Sequence, residues 1–252
     1  MEIDISGAKI FYTFPFDFPI LGRLRITETI IVSWIVMALI TGLCIFLTRD
    51  LKVEKISKRQ ALAEFIVETA NKFVVGNMGE KFRYLIPFVS ALFATSVISN
   101  LISLIGLRSP TADLSVEAGW AVVVFVMITA QKIKTSSFGG YLKGFTQPIA
   151  VMTPFNVLSE LATPISMACR HFGNILSGVV INALIYGALA TASSALLGLL
   201  PGILGDVLSK IPILDVGIPA ITGVYFDWFS GCMQAFIFCM LTVMYIANAA
   251  EE

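Results

Sequence analysis

Long apolar runs, separated by short polar or charged interruptions, dominate the chain from residue 26 onward. A helix needs about 20 apolar residues to cross the hydrocarbon core of a bilayer. Residues 26–47, bounded by Arg25 and Arg49, form the first such span. Residues 52–73 read differently. Ile56, Leu62, Phe65, Ile66 and Thr69 recur roughly on one face, with Lys55, Lys58, Arg59, Glu64 and Glu68 elsewhere. That pattern predicts an amphipathic helix lying in the membrane interface, with a solvated loop helix as the alternative. Residues 84–107 are the second span, carrying Asn100 and Ser103 near its far end. The following Arg108-Ser-Pro-Thr-Ala-Asp-Leu-Ser115 has turn chemistry, and Asp113 can cap the next helix. The third span, residues 116–131, is short unless its flanks contribute, and Lys132, Lys134 and Lys143 then fall in a Gly/Ser-containing loop.

Beyond Pro148 the pattern changes. Roughly 45 residues after Pro154 run without a strong breaker, which at ~1.5 Å per residue is about 65 Å. The hydrocarbon core is only about 30 Å thick, so this segment must tilt, bend or lie partly in the interface. Pro164 is a candidate kink. Pro201-Gly202 ends the run, and residues 218–248 are again over-long for an upright span. Two over-long helices in succession predict a tilted antiparallel hairpin. The expected fold is therefore an all-α integral membrane protein with about five transmembrane helices and one interfacial helix. It reads as one membrane domain over residues 1–252: an external segment (1–25), a first span (26–47), the amphipathic helix (52–73), a two-span hairpin (84–131) and the tilted hairpin (148–248).

Composition agrees with this reading. Of 252 residues, 57% are hydrophobic and 13% charged, against about 25% charged in a soluble domain, and the mean hydropathy is +0.86. A formal net charge of zero gives no electrostatic footprint for nucleic acid. The Phe- and Pro-rich first 25 residues have neither the layout of a signal peptide nor that of an import leader, and a bacterial plasma membrane is the simplest expectation. Lys and Arg set the orientation. With the N-terminus outside, Arg49, Lys52, Lys55, Lys58, Arg59, Lys72, Lys81, Arg83, Lys132, Lys134 and Lys143 are inside. Lys9, Arg23, Arg25, Arg108 and Lys210 are then outside. The C-terminus is accordingly expected in the cytoplasm. Cys44, Cys169, Cys232 and Cys239 all fall in apolar runs and read as small buried hydrophobes. With a single His in the chain, no metal site or cofactor is expected.

The candidate chemistry centres on Arg170, which stands inside the long apolar segment. A guanidinium stays charged, and placing one mid-membrane costs at least about 2.5–3.5 kcal/mol, so it implies a partner, a lumen or a moving charge. Counted from the inside ends of their helices, Arg170 and Gln234 fall at about the same depth, and a Gln carbonyl can accept from the guanidinium without neutralising it. Asp227, seven residues before Gln234, is on the same face and nearer the outside. It is either a protonatable group in an aqueous inlet or a helix N-terminal residue meeting headgroups. Asn182, Asn100 and Ser103 lie toward the outside, and Asn156, Ser159, Glu160 and Thr163 toward the inside. Any one of these can equally be an interhelical hydrogen-bonding residue. Gly173, Asn174, Ser177 and Gly178 make a face of small residues after Arg170, suited to close packing within the chain or to a separate partner helix. His171, next in sequence to Arg170, points elsewhere and reads as a packing or hydrogen-bonding residue. One reading from these residues alone is a self-contained secondary transporter with Arg170 as anion anchor, although no internal repeat is visible.

Arg170-His-Phe-Gly-Asn174, preceded by Pro154-Phe-Asn156 and Pro164-Ile-Ser166, resembles subunit a of the F-type ATP synthase. So do Gln234-Ala-Phe-Ile-Phe238, then Leu241-Thr242 and Tyr245, and Pro110-Thr-Ala-Asp113. The motifs keep the family's order over roughly residues 80–252. The resemblance implies a stator subunit without a catalytic centre of its own. Its tilted hairpin would face a rotating ring of c subunits, with peripheral-stalk b subunits and the rest of the synthase as further partners. Two offset half-channels would pass H⁺ or Na⁺ to and from the ring carboxylates. Arg170 would carry the essential role between them, with Gln234 and Asn174 beside it and Asp227 where an outer half-channel group is usual. The family often has Glu or His two turns after the arginine and commonly Leu directly after it. Here those positions are Val179 and His171.

Overall fold

A computed structural model describes residues 8–18, 22–54, 56–198, 222 and 224–250. The chain opens with an antiparallel pair of strands, β1 (Ile10–Phe18) and β2 (Gly22–Thr27). Sequence reading placed only an external segment here. The strand signal is the aromatic and β-branched richness of Ile10-Phe-Tyr-Thr-Phe14. The Glu28 N–H donates to the Lys9 carbonyl at 2.8 Å, which ties the hairpin to the first helix.

Helix α1 (Glu28–Thr48) is the first membrane-length helix. Its buried Val32 and Val36 pack with Ile102. Helix α2 (Lys58–Met78) begins six residues later than the sequence suggested, because Ser57 caps it by accepting from the Gln60 N–H at 3.2 Å. The Gln60 side chain also holds the Lys52 backbone through two hydrogen bonds, of 2.9 and 2.8 Å, so the preceding stretch is a strapped linker rather than helix. Gly79, at φ +84°, ends α2 in a backbone conformation that suits glycine. Helix α2 packs by its second half, Phe73, Val74 and Met78, while Leu62, Phe65, Ile66 and Val67 remain exposed.

Helix α3 (Ile86–Leu101) is extended by short 3₁₀ turns at both ends. After a 3₁₀ turn at Pro110–Ala112, Asp113 caps α4 as expected, accepting from the Ser115 N–H at 3.0 Å. Helix α4 (Leu114–Gly144) is much longer than residues 116–131, and Lys132, Lys134 and Lys143 are helical rather than in a loop. Thr135 and Ser136 hydroxyls donate back to the carbonyls of Gln131 and Lys132, a local bonding that satisfies each hydroxyl and tends to bend a helix. A break in helical backbone falls only at Ser137, at φ 65° and ψ 160°.

Helix α5 (Thr153–Gly198) runs 46 residues and contains Pro164 in its interior. At ~1.5 Å per residue it is about 69 Å long, more than twice the hydrocarbon thickness. Pro164 cannot donate to the Glu160 carbonyl four residues earlier. The last helix, α6 (Gly231–Asn248), follows a π-helical turn at Val224–Ser230. Residues 218–221 and 223 of the over-long segment expected at 218–248 lie outside the described residues.

Five described helical segments are long and apolar enough to span a membrane, and α2 is not among them. The main core gathers α2, α3, α4 and α6 around Val74, Val89, Val124, Phe238 and Val243, with Met167 and Ala168 contributed by α5. Only 6% of the most apolar stretch of α5 is buried, against 44% for α6. Helix α5 therefore lies on the flank of the bundle. The cysteines divide accordingly. Cys239 is buried and Cys232 half-buried, whereas Cys44 and Cys169 are exposed, because their helices leave an apolar face uncovered.

Candidate functional site

Arg170 stands on the uncovered flank of α5. Its residue is exposed, and it makes no hydrogen bond or ion pair among the described residues. Leu158, Leu161, Ile165, Cys169, Leu176 and Leu184 are exposed along the same helix. This is an apolar surface bearing one fixed charge.

The small-residue face splits between the two alternatives open at the sequence level. A Cβ added at Gly173 would meet nothing within 4 Å, and Ser177 is exposed with its hydroxyl donating to the Gly173 carbonyl at 2.6 Å. Gly178, by contrast, is buried. Asn174 is engaged within the chain. Its Nδ2 donates to Ser230 Oγ at 2.9 Å, and that hydroxyl also lies 3.1 Å from Asn174 Oδ1. Gln234, one turn after Ser230, is 5% exposed. Asp227 lies in the π-helical turn before it, and its side chain is outside the described set.

Asn100 is buried with both ends of its amide engaged: its Nδ2 donates to the Gly231 carbonyl at 2.9 Å, and its Oδ1 accepts from Thr111 Oγ1. Ser109 extends this network to Thr111 and to the Ser99 carbonyl, both at 2.6 Å. Ser103 donates to the Asn100 carbonyl. The two helices approach so closely that a Cβ on Gly231 would sit 2.9 Å from the Asn100 Cβ. Asn182 is half-buried, and its Oδ1 has no hydrogen-bond partner among the described residues.

Asn156, Ser159, Glu160 and Thr163 come together. They line one cavity of about 780 Å³ between the first turns of α5, the end of α4 and the end of α6, the last represented by Tyr245, Asn248 and Ala249. Lys132 donates to Glu160 Oε2 across it at 3.1 Å. Asn156 Nδ2 donates to the carbonyls of Phe145 and Gln147, and Thr163 to that of Ser159.

One residue that sequence reading passed over is Glu117. It is completely buried four residues into α4, with its Oε2 3.1 Å from His171 Nδ1. His171 is also completely buried and faces into the bundle, away from the exposed Arg170. Trp120 and Phe238 surround its ring at centroid distances of 6.3 and 5.6 Å. The available signal was the carboxylate itself, since an ionisable residue inside a span is a functional candidate by default.

Five membrane-length helices, an uncovered flank carrying a lone arginine and a polar cavity at one end define an all-α, multi-pass membrane protein built around intramembrane charge. Comparison with known proteins narrows this class. The family described as ATP synthase A chain matches residues 30–247. The ATP synthase subunit a 1 of Prosthecochloris aestuarii is 32% identical over 235 residues, covering 92% of this chain and 93% of the relative. That of Chlorobaculum tepidum is 33% identical over 232 residues, covering 91% and 93%. A protein of Propionigenium modestum named ATP synthase subunit a, sodium ion specific, is 29% identical over 279 residues, covering 98% and 86%. The chain belongs to the ATP synthase subunit a family, and so to the membrane sector of that complex and its ion translocation.

Proposed function

We propose that this chain forms, with a ring of c subunits, two offset half-channels that pass ions to and from ring carboxylates and thereby couple ion flow to rotation. The observation that carries the reading is Arg170: an exposed guanidinium on the apolar flank of α5, without a hydrogen-bond or ion-pair partner among the described residues. A cation that never loses its proton attracts each deprotonated carboxylate brought past it and blocks ions from leaking directly between the half-channels. The open space at Gly173 lets a partner helix come close.

Helices α5 and α6 act here as a tilted antiparallel hairpin. The Asn174–Ser230 contact and the cavity shared by Thr163 and Tyr245 support that pairing. Counting four residues back from Asn174 and four on from Ser230 brings Arg170 level with Gln234. The cavity of Asn156, Ser159, Glu160 and Thr163 serves as the inner half-channel. Asp227, Asn182, Asn100 and Ser103 belong to the outer half. The N-terminus is outside and the C-terminus cytoplasmic, in a bacterial plasma membrane. The chain has no catalytic centre of its own, and the peripheral-stalk b subunits hold it against the torque. Each elementary charge crossing 100 mV supplies about 2.3 kcal/mol to that rotation.

The test uses Cys169, the exposed neighbour of Arg170. In the assembled synthase it should cross-link to c subunits with a short thiol-directed reagent, while Cys44 should not. Cross-linking of Cys44 but not Cys169 would place the ring on another face.

A further inference from the structure

The environment of Glu117 and His171 is unusual even for a membrane interior. Both side chains are 0% exposed, and Glu117 Oε2 lies 3.1 Å from His171 Nδ1. That is ion-pair range, yet the N–H direction is not aligned for a hydrogen bond. Among the described residues, Glu117 Oε1, Glu117 Oε2 and His171 Nδ1 all lack hydrogen-bond partners. Buried polar groups are normally satisfied, and those that are not call for a reason. A structural clasp would be expected to have aligned bonds, as Asn100 does with Gly231 and Thr111. This pair instead keeps free acceptor capacity at the place where α4 meets α5, one residue from Arg170.

The chemistry suits one kind of cargo. Beside the pair stand the Ser96 hydroxyl, 3.4 Å from His171 Nε2, and the rings of Trp120 and Phe238. Among the described residues no cluster of three or more His, Cys, Asp or Glu could hold a metal ion. Hard cations require a shell of oxygen ligands, and here a single carboxyl and a single hydroxyl stand near the ring. A proton needs one lone pair. On α5, Asn182 follows His171 by eleven residues, which is close to the same face. Its Oδ1 is also without a partner among the described residues, about 16 Å farther along the helix.

We propose that Glu117 and His171 together form a binding site for a single transported proton on the outer approach to Arg170, with Asn182 on the same route. Uptake forms an O–H bond at Glu117 Oε2 or an N–H bond at His171 Nδ1. Release breaks that bond, restores carboxylate and neutral imidazole, and passes the proton toward the ring carboxylate at the Asn174–Ser230 seam. The ion this site carries is H⁺. It rests on the half-channel reading above.

The experiment uses assembled synthase in inverted membrane vesicles, measuring ATP-driven H⁺ and Na⁺ uptake together with the amount of subunit a retained. Glu117→Gln should lower H⁺ uptake at least tenfold with assembly intact, and Glu117→Asp should recover most of it. The pair Glu117→Gln with His171→Asn keeps two polar side chains of similar size but cannot carry a proton, and it should be equally inactive. Uptake within twofold of wild type in either amide variant overturns the proposal. So does loss of assembly in both, which would make the pair a structural clasp, and so does wild-type uptake of Na⁺ in place of H⁺. Arg170→Ala, run alongside, separates the two readings. If it abolishes uptake while Glu117→Gln does not, only the proton site fails. If it pumps normally, the half-channel reading fails.

Discussion

Gly231→Ala probes the close approach of α3 and α6. The new Cβ would lie 2.9 Å from the Asn100 Cβ and 3.3 Å from its Cγ. Non-bonded carbons are comfortable at about 3.5–4.0 Å, so α3 and α6 would have to separate locally by roughly 0.6–1 Å. The hydrogen bond from Asn100 Nδ2 to the Gly231 carbonyl starts at 2.9 Å. A shift of that size takes it to roughly 3.5 Å or more, outside useful range. Overpacking costs about 1–3 kcal/mol and the lost bond about 1 kcal/mol, for a total of roughly 2–4 kcal/mol. The assay is thermal unfolding of the purified complex together with the level of the chain in membranes. Gly76→Ala is the control, because a Cβ there meets nothing within 4 Å. Gly231→Ala should be clearly destabilised and Gly76→Ala neutral or slightly stabilised. If the two behave alike, the close approach of α3 and α6 is not as described.

Other expectations follow from the cavity, the π-helical turn and the open flank. Glu160→Gln removes the partner 3.1 Å from Lys132, whose side chain is 20% exposed. The loss should fall below the ~3–5 kcal/mol of a fully buried pair, and exchanging the two charges (Lys132→Glu with Glu160→Lys) should restore membrane levels; an exchange no better than the single change would argue against the pairing. Asp227→Asn should slow ion flux from the outside more than it lowers assembly, and unchanged flux across pH would reduce Asp227 to a helix-end residue. Maleimide should label Cys169 and Cys44 in the isolated subunit but leave Cys239 unlabelled. Addition of the ring should protect Cys169 alone, and protection of Cys44 to the same extent would contradict the assignment of faces.

The membrane plan was legible because it is written in long apolar runs. The start of α1, the cap at Asp113 and the uninterrupted length of α5 all follow from composition and spacing. What escaped depended on contacts between segments. Residues 10–18 and 22–27 are strands because each supplies the other's backbone hydrogen-bond partners, which no single window reveals. The extension of α4 past Gln131 brings Lys132 to Glu160, 28 residues away. The four inner candidates were visible individually as polar residues of one helix, but α4 and α6 are needed to make a cavity of them. Asn100 was legible as a buried polar residue, and its bonding to Gly231 and Thr111 was not. Glu117 is the instructive omission: His171 was rightly turned away from Arg170, yet its partner 54 residues earlier could be found only by asking which carboxylate lay within a span.

The central claim is that Arg170 serves a charge that arrives from outside this chain. The most direct measurement is ATP-driven ion uptake by vesicles containing the complete synthase with Arg170→Ala, normalised to the subunit a present. The account predicts no coupled uptake despite normal assembly. Uptake at the wild-type rate would contradict it.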